Sequence, residues 1–350
     1  MKGLISFHPL DTGFFDEMIA PLVAGRKVNP ERFVGEAVRL RKNAWHVRRY
    51  ARALESALAG ATPPEAAADA KPWSRVKSFF DRFDFRPEET SRRAAQAVEP
   101  DLHLCGRPFL VAEDSATKVA EIVERFAAAP SPDAAEAIAK EQLTRLDPEL
   151  GRLLVPEDGA EISADLLHRR DLLAGLAAIR SLADAARRGV PWGEGDASGK
   201  PAVEVLRDEI AWRALALHAR IVPFWVGRDV DGLETVCAAA SVPPPEALVP
   251  ARRVFAGLCE EFPDFGPTLG IEITRPRQVG AYVAPDDVPS LLEFLGEVGA
   301  RIIQVAARHG EGAACSVLLR KMRECATYAK RRGFGYLEAS GILPPDVEAE

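Results

Sequence analysis

Residues 29–60 read NPERFVGEAVRLRKNAWHVRRYARALESALAG and predict one long amphipathic helix over residues 30–59. Asn29 suits the N-cap, Pro30 suits the first helical position, and Gly60 suits the position after the last turn. Between these ends, apolar or small residues recur every three or four positions, as they do on the buried side of a helix. They are Phe33, Ala37, Leu40, Ala44, Val47, Ala51, Leu54 and Leu58. Such a helix is about 45 Å long.

The same stretch is strongly basic. Residues 26–52 carry nine Lys or Arg residues against two acidic residues, whereas the whole chain of 350 residues has a formal net charge of −7. One face of the helix collects cations around a tryptophan, and its candidate binding residues are Arg41, Lys42, Trp45, His46, Arg48, Arg49 and Arg52. Cations beside an aromatic ring suit phosphate groups and planar ligands. The pattern therefore predicts a binding protein that contacts an acidic protein, RNA or a phosphorylated ligand through residues 39–52.

Two structural interpretations compete with a binding surface. The first is a solvated helix face. The second is internal pairing with acidic segments such as Glu260–Glu261 or residues 133–141. Trp45 favours packing against protein, with arginine stems covering apolar surface. A third interpretation concerns the apolar seam, which could join two copies of the chain in a homo-oligomer. The sequence leaves the choice open.

Composition indicates an ordinary soluble globular protein. Hydrophobic residues make up 47% and charged residues 28% of the chain, values typical of this class. No apolar run approaches the roughly 20 residues that cross a bilayer, and the first residues lack the pattern of a signal peptide. The five cysteines are odd in number and show no C-x-x-C spacing, which indicates reduced thiols. With abundant Arg and Ala, these features predict a bacterial, cytoplasmic protein without a membrane partner.

Helical patterns dominate, and strand patterns are few and short. The best strand candidates are residues 4–8, 108–112, 269–274 and 278–284, of which the last two suggest a hairpin near 269–284. Ile271 and Ile273 alternate with polar residues, as in a half-buried strand. The predicted fold class is α+β, predominantly helical with long amphipathic helices and a small sheet of short strands.

A Gly- and Pro-rich segment indicates a boundary inside the chain. Residues 191–201 read PWGEGDASGKP and interrupt two long helical patterns, so we predict a linker there. An N-terminal subdomain over 1–190 would contain the basic helix, and a helical C-terminal subdomain over 202–350 would contain the hairpin. The linker is not a phosphate-binding loop, because Glu194 and Pro201 replace the Gly and the hydroxyl residue that such a loop needs.

No catalytic motif, metal-binding spacing or cofactor-binding pattern is present in the sequence. The alternative function is an enzyme or a small-ligand-binding protein acting on an anionic substrate. Its site would lie near the ends of the short strands, where the sequence places His8, Asp11 and the Tyr282 region. This hypothesis requires a concave pocket that holds several of these groups together.

Overall fold

The computed structural model describes residues 4–60, 98–104, 107–113, 115–156, 164–192, 199–227, 231–262, 269–273 and 277–342. Within these ranges the protein is predominantly helical with a single antiparallel sheet, so the predicted α+β class is confirmed. The sequence pattern of residues 87–98 also predicts a helix. Most of that stretch falls outside these ranges, and its last residue, Val98, begins a strand instead.

The sheet of the described residues has seven strands. They are β1 (Ile5–Leu10), β2 (Val98–Leu104), β3 (Arg107–Leu110), β4 (Phe224–Gly227), β5 (Val249–Pro250), β6 (Gln278–Val283) and β7 (Gly335–Ser340). Their order is β3-β2-β4-β1-β7-β6-β5, and every neighbouring pair is antiparallel. The strands β1 and β7 pair along their full length, with Ile5 opposite Ser340 and Leu10 opposite Gly335. The end of β1 therefore lies beside the beginnings of β4 and β7.

Eleven helical segments surround this sheet in the described part of the chain. They are α1 (residues 12–23, with a π-helical turn at Phe15–Ile19), α2 (Glu31–Gly60), α3 (Ala116–Ala128), α4 (Pro132–Leu146), α5 (Pro148–Leu153), α6 (Ala164–Arg187), α7 (Ala202–His218), α8 (Leu233–Ala239), α9 (Ala256–Glu261), α10 (Val288–Arg308) and α11 (Gly312–Arg332). The long helix α2 begins and ends within one residue of its predicted bounds. The Asn29 side-chain oxygen accepts a hydrogen bond from the Glu31 amide at 3.1 Å, as the cap pattern predicts.

Helices cover both faces of the sheet. Alternate side chains of β1 and β7 enter two hydrophobic clusters, because successive residues of a strand point to opposite faces. Phe7 and Tyr336 belong to the first cluster, with side chains of α3, α4, α10 and α11. Leu10 and Leu337 belong to the second, with side chains of α1, α6 and α7.

The long helix α2 contributes to both clusters. Phe33, Val34 and Ala37 near its beginning are buried in the second cluster, whereas Leu40 and Val47 further along are buried in the first. Burying each large apolar side chain stabilises the fold by about 1.5–3 kcal/mol. The described part of the predicted apolar seam is thus occupied by contacts within one chain.

The hairpin predicted near residues 269–284 is wrong. Residues 269–273 form no strand, and β6 pairs with β7 and β5 instead. A Cβ added to Gly280 would lie 2.5 Å from the Ile273 side chain and 3.0 Å from the Ile271 carbonyl oxygen. The segment therefore packs across β6 rather than alongside it, and the missing side chain of Gly280 leaves room for that approach.

The sequence pattern of residues 246–262 also predicts one helix, and this prediction is wrong. Residues 249–250 form β5, residues 251–255 form a 3₁₀ turn, and the α-helix spans only Ala256–Glu261. Pro250 explains the difference, because proline lacks an amide hydrogen and disfavours helical backbone at the residue before it.

Segments from both sides of the predicted linker share the sheet. The strand β4, which follows the linker, lies between β2 and β1, which precede it. Pro191 and Pro201 form an isolated bridge, and the Trp192 amide donates to the Lys200 carbonyl at 3.0 Å. The two ends of the linker thus meet, and the subdomains 1–190 and 202–350 stay a prediction.

Two glycines that would each accommodate a Cβ should respond oppositely to substitution by alanine. Gly333 follows α11 with φ of +67°, whereas Gly296 lies inside α10, and no atom lies within 4 Å of a Cβ added to either. We expect Gly333→Ala to lose about 1 kcal/mol of unfolding free energy through backbone strain and Gly296→Ala to gain about 0.5–1 kcal/mol. Urea denaturation measures both changes, and a stabilised Gly333→Ala protein would contradict the left-handed helix end.

Candidate functional site

The basic face of α2 is mostly half-buried. Among the seven predicted binding residues, Arg52 is exposed and Arg48 is only 8% exposed. The other five are half-buried: Arg41, Lys42, Trp45, His46 and Arg49. Among the described residues, most side chains of this face are thus only partly exposed to solvent.

One side of the basic face contacts α4. His46 Nδ1 lies 2.6 Å from Glu136 Oε1, and the Tyr50 hydroxyl donates to Glu136 Oε2 at 3.3 Å. Glu136 belongs to the acidic segment 133–141 that the sequence offered as an internal partner. The other proposed acidic segment lies elsewhere, since Glu261 faces Arg187 of α6 at 3.5 Å.

The opposite side of the basic face contacts α6 and its own aromatic residue. Arg41 Nη1 lies 2.9 Å from His168 Nδ1. The Arg49 guanidinium lies over the Trp45 ring, 5.2 Å from its centroid. Both arrangements use cations of the face for contacts within the chain, as a structural interpretation of the pattern expects.

Arg39 ties α2 to the end of α3. Its guanidinium contacts Glu36 through two hydrogen bonds, the longer of 3.0 Å, and it donates to the Ala127 carbonyl oxygen at 2.8 Å and also to that of Ala129. Asn43 donates to the same Ala129 oxygen at 2.8 Å. The last carbonyls of a helix lack intrahelical donors, so Arg39 and Asn43 satisfy groups that would otherwise lose hydrogen bonds.

A cleft of about 640 Å³ opens beside the strand ends, where β1 ends and where β4 and β7 begin. Its walls come from α1, the first half of α2, the last turn of α3 and the end of α11. Apolar residues in its lining include Phe14, Met18, Phe33, Val222 and Phe334, and several charged side chains accompany them. We take this cleft as the candidate functional site, because it combines small-molecule size with charged groups from separate parts of the chain.

Some charges in the cleft are paired with one another. Glu36 accepts from Arg39, as described above. Glu124 of α3 accepts from Arg331 at 2.8 Å and faces Arg332 at 3.5 Å. The Arg332 guanidinium also lies 5.5 Å from the centroid of the Phe334 ring. These contacts join the walls of the cleft and fix their side chains.

Two opposite charges in the cleft have no such pairing. Arg32 of α2 and Glu17 of α1 line the cleft and are exposed. Neither makes a hydrogen bond or ion pair with the residues that the structure describes. Asp11 also lines the cleft, and its Oδ1 accepts from the Gly13 amide at 3.0 Å, which caps α1. The lining thus offers a free cation and a free carboxylate to a ligand.

Two buried histidines lie near this end of the sheet, His8 within β1 and His218 at the end of α7. His218 Nε2 accepts from the Asp11 amide at 3.1 Å, and burial lowers the pKa of His218 to about 3. His8 contacts the Ser6 hydroxyl at 2.8 Å and stacks on Phe224, and burial, followed by the charge of His218, lowers its pKa well below the usual value. Both imidazoles are therefore neutral near pH 7, and His218 holds the backbone from which the Asp11 side chain reaches the cleft.

The three groups of the alternative site are not brought together. Asp11 lines the cleft, but His8 is 1% exposed and lies within the sheet. Tyr282 is buried in the second hydrophobic cluster, where burial raises its phenol pKa. Neither His8 nor Tyr282 belongs to the cleft lining.

Sequence reasoning missed most of the charged residues of the cleft. Arg32 and Arg39 lie within the basic stretch 26–52, but on a different side of α2 from the predicted stripe. Arg332 follows Lys330 and Arg331 before Gly333, a pattern that indicates the end of a helix rather than a binding site. No sequence pattern marks Glu17. A useful signal was the acid at residue 11 directly after an apolar strand, which did predict that this strand end carries polar groups.

Comparison with known proteins gives no function for the cleft, so its geometry is the basis for interpreting it. The chain matches no family model, no curated protein and no solved structure. Within the described ranges, no group of three or more His, Cys, Asp or Glu side chains is arranged to hold a metal ion. No helix in that part of the chain is both long enough and apolar enough to cross a membrane.

Proposed function

We propose that the protein binds a small polar molecule with an anionic group in the cleft beside α2. The observation that carries this proposal is the unpaired guanidinium of Arg32 in a cleft of about 640 Å³. Ligand pockets typically have volumes of about 300–1,000 Å³ and combine apolar walls with a few polar groups. The cleft meets both conditions.

Arginine suits recognition of an anion at this position. Its planar guanidinium presents paired N–H donors that match a carboxylate or phosphate. Arg39 and Arg332 line the same cleft but are already held by Glu36 and Glu124. Arg32 is thus the cation of the lining that a ligand can bind without first breaking an ion pair with a described residue.

A contact between residues 39–52 and an acidic protein, RNA or a phosphorylated ligand is less well supported. Such a partner needs several exposed cations, because each phosphate contact adds to the affinity through charge neutralisation. On this face Arg52 is exposed, whereas Arg48 is buried and Arg41 and Arg49 are half-buried. The surface therefore stays a prediction, and the cleft is the better candidate.

The cellular setting is part of the same proposal. Cys237, Cys315 and Cys325 are free thiols, and burial raises the pKa of each, so these thiols are unreactive. Unpaired thiols agree with a reducing compartment. We accordingly place the protein in the bacterial cytoplasm, as its composition suggests.

A substitution that fills the cleft tests the proposal. Ala128 is exposed and lines the cleft, so Ala128→Trp should block it without disturbing the core. Ala177 on α6 is also exposed, and Ala177→Trp serves as the matched control. We expect saturation-transfer NMR with two small carboxylates, 5-aminopentanoate and adipate, to show binding of at least one of them to the wild type and to Ala177→Trp, and at least a tenfold loss of affinity in Ala128→Trp. Equal binding to all three proteins, or none to any, would reject the cleft as the site.

A further inference from the structure

The free charges of the cleft are of opposite sign, and each is close in sequence to one ring of an aromatic pair. Phe14 and Phe33 line the cleft with ring centroids 5.4 Å apart. Glu17 lies three residues after Phe14, and Arg32 directly precedes Phe33. The lining thus combines a carboxylate, a guanidinium and the exposed parts of two aromatic rings, which are 7% and 5% exposed.

The remaining charges in the lining do not alter this pattern. Glu36 is held by Arg39, and Glu124 is held by Arg331 and Arg332. Asp11 adds a second carboxylate, one oxygen of which is used by the Gly13 amide. Among the described lining residues, the cation left for a ligand is therefore Arg32. The free carboxylate is Glu17, and Asp11 adds a carboxylate with one oxygen already used.

From this arrangement we infer that the ligand is dipolar, with an ammonium group and a carboxylate separated by a short apolar spacer. The inference rests on the proposed function and specifies its ligand class. The carboxylate binds Arg32, the ammonium group binds Glu17 with Asp11 nearby, and the spacer packs against Phe14 and Phe33. Opposite charges placed in this way complement the lining at both ends.

Ligands of a single sign match the cleft less well. A dicarboxylate pairs one group with Arg32 but places the other near Glu17 and Asp11, where like charges repel. A diamine has the converse problem at Arg32. A phosphate group carries up to two negative charges, more than the single free guanidinium neutralises. A carboxylate is therefore the anion that the lining suits best.

Three probes with the same methylene spacer test the inference: 5-aminopentanoate, adipate and 1,4-diaminobutane. We expect the wild type to bind 5-aminopentanoate about tenfold more tightly than either of the others, the equivalent of one good charge-assisted contact. Titrations followed by saturation-transfer NMR give the dissociation constants.

Charge-neutral variants assign the two ends of the ligand. Glu17→Gln should weaken 5-aminopentanoate about tenfold and leave adipate bound as well or better. Arg32→Gln should weaken both, and Arg32→Lys should restore part of the binding. Glu17 and Arg32 are exposed, so folding should survive each change, and circular dichroism verifies that it does.

The outcomes separate this inference from the proposed function. Adipate that binds as tightly as 5-aminopentanoate, with both lost in Ala128→Trp, overturns the dipolar ligand and leaves anion binding in the cleft intact. Binding of 1,4-diaminobutane alone overturns both proposals. The absence of any binding that Ala128→Trp removes also overturns both.

Discussion

We expect the Arg48→Glu protein to lose about 3–5 kcal/mol of its free energy of unfolding, the usual cost of leaving a buried charge unpaired. Arg48 is 8% exposed and has an interaction partner in the structure. Its neighbours on α2, Val47 and Tyr50, are almost fully buried. A carboxylate at this position would lose most of its hydration and would replace the cation that its surroundings stabilise.

Arg52→Glu supplies the matched control for this substitution. Arg52 lies one turn further along the same helix and is exposed, and the net charge changes by the same amount. Surface substitutions usually alter stability by no more than about 0.5 kcal/mol. Urea unfolding followed by circular dichroism at pH 7 compares the two proteins. Equal and small losses would show that the basic face is solvated, and would restore residues 39–52 as a candidate binding surface.

The second large effect concerns the pH dependence of stability. The folded-state pKa of His218 is about 3, so the unfolded chain takes up a proton from about pH 6.5 downward while the folded protein does not. Stability is therefore present above the unfolded-state pKa and is lost as the pH falls. Between pH 7 and pH 5 this loss is about 2 kcal/mol. His8 acts in the same direction, because burial also lowers its pKa.

Glu338 acts in the opposite direction. It is 1% exposed, accepts from the Tyr336 hydroxyl at 2.9 Å and from the Leu233 amide at 3.1 Å, and burial raises its pKa to about 7. Its contribution is full below the unfolded-state pKa of about 4.5 and is lost as the pH rises through 7. As the pH falls from 7 to 5, protonation of Glu338 therefore raises the free energy of unfolding by about 2 kcal/mol, which offsets the loss from His218.

A variant without the Glu338 carboxyl group should show the full effect of the histidines on the pH dependence of stability. In Glu338→Gln, which resembles the protonated carboxyl group, we expect stability to fall between pH 7 and pH 5 by about 2 kcal/mol more than in the wild type. Urea unfolding at several pH values in this interval measures the difference. Glu260 is exposed, and Glu260→Gln should run parallel to the wild type. A parallel curve for Glu338→Gln would contradict a protonated Glu338 in the folded protein.

The elements best predicted from the sequence are those whose signals are local. The helix α2 has a cap at Asn29, a proline at residue 30 and a regular apolar period, and its bounds were predicted to within one residue. The strands β1 and β6 were also predicted, because apolar runs at those positions are followed by turn or cap residues. The pairing of β6 with β7 was not predicted, since strand pairing depends on residues distant in sequence.

The missed strands show why local pattern fails here. The strand β4 has only four residues, Phe224–Gly227, which is too short for a period to be recognised. The strand β7 contains Glu338, and a charged residue in a short run argues against a buried strand. Glu338 is nevertheless buried, because Tyr336 and the Leu233 amide satisfy its oxygens. Such compensation comes from tertiary structure and leaves no mark on the local sequence.

The sequence indicated one polar residue of the cleft, Asp11, but it predicted neither the cleft nor its other charged residues. Asp11 indicated a polar strand end, and the cleft lies there. Its free charges, Glu17 and Arg32, come from two helices, and their lack of partners becomes visible only when the surrounding ion pairs are known. The sequence shows that a cation exists, whereas the fold decides whether that cation is already in use.

The pairing of β1 with β7 has a consequence for folding during synthesis. Ile5 pairs with Ser340, so the ribosome must make more than three hundred intervening residues before the two strands can meet. Until β4 and then β7 emerge, both edges of β1 lack partners, and unpaired edges promote association between chains. Contacts so distant in sequence also slow folding. The nascent chain therefore needs either early cover of β1 by helices such as α2, or protection by a chaperone.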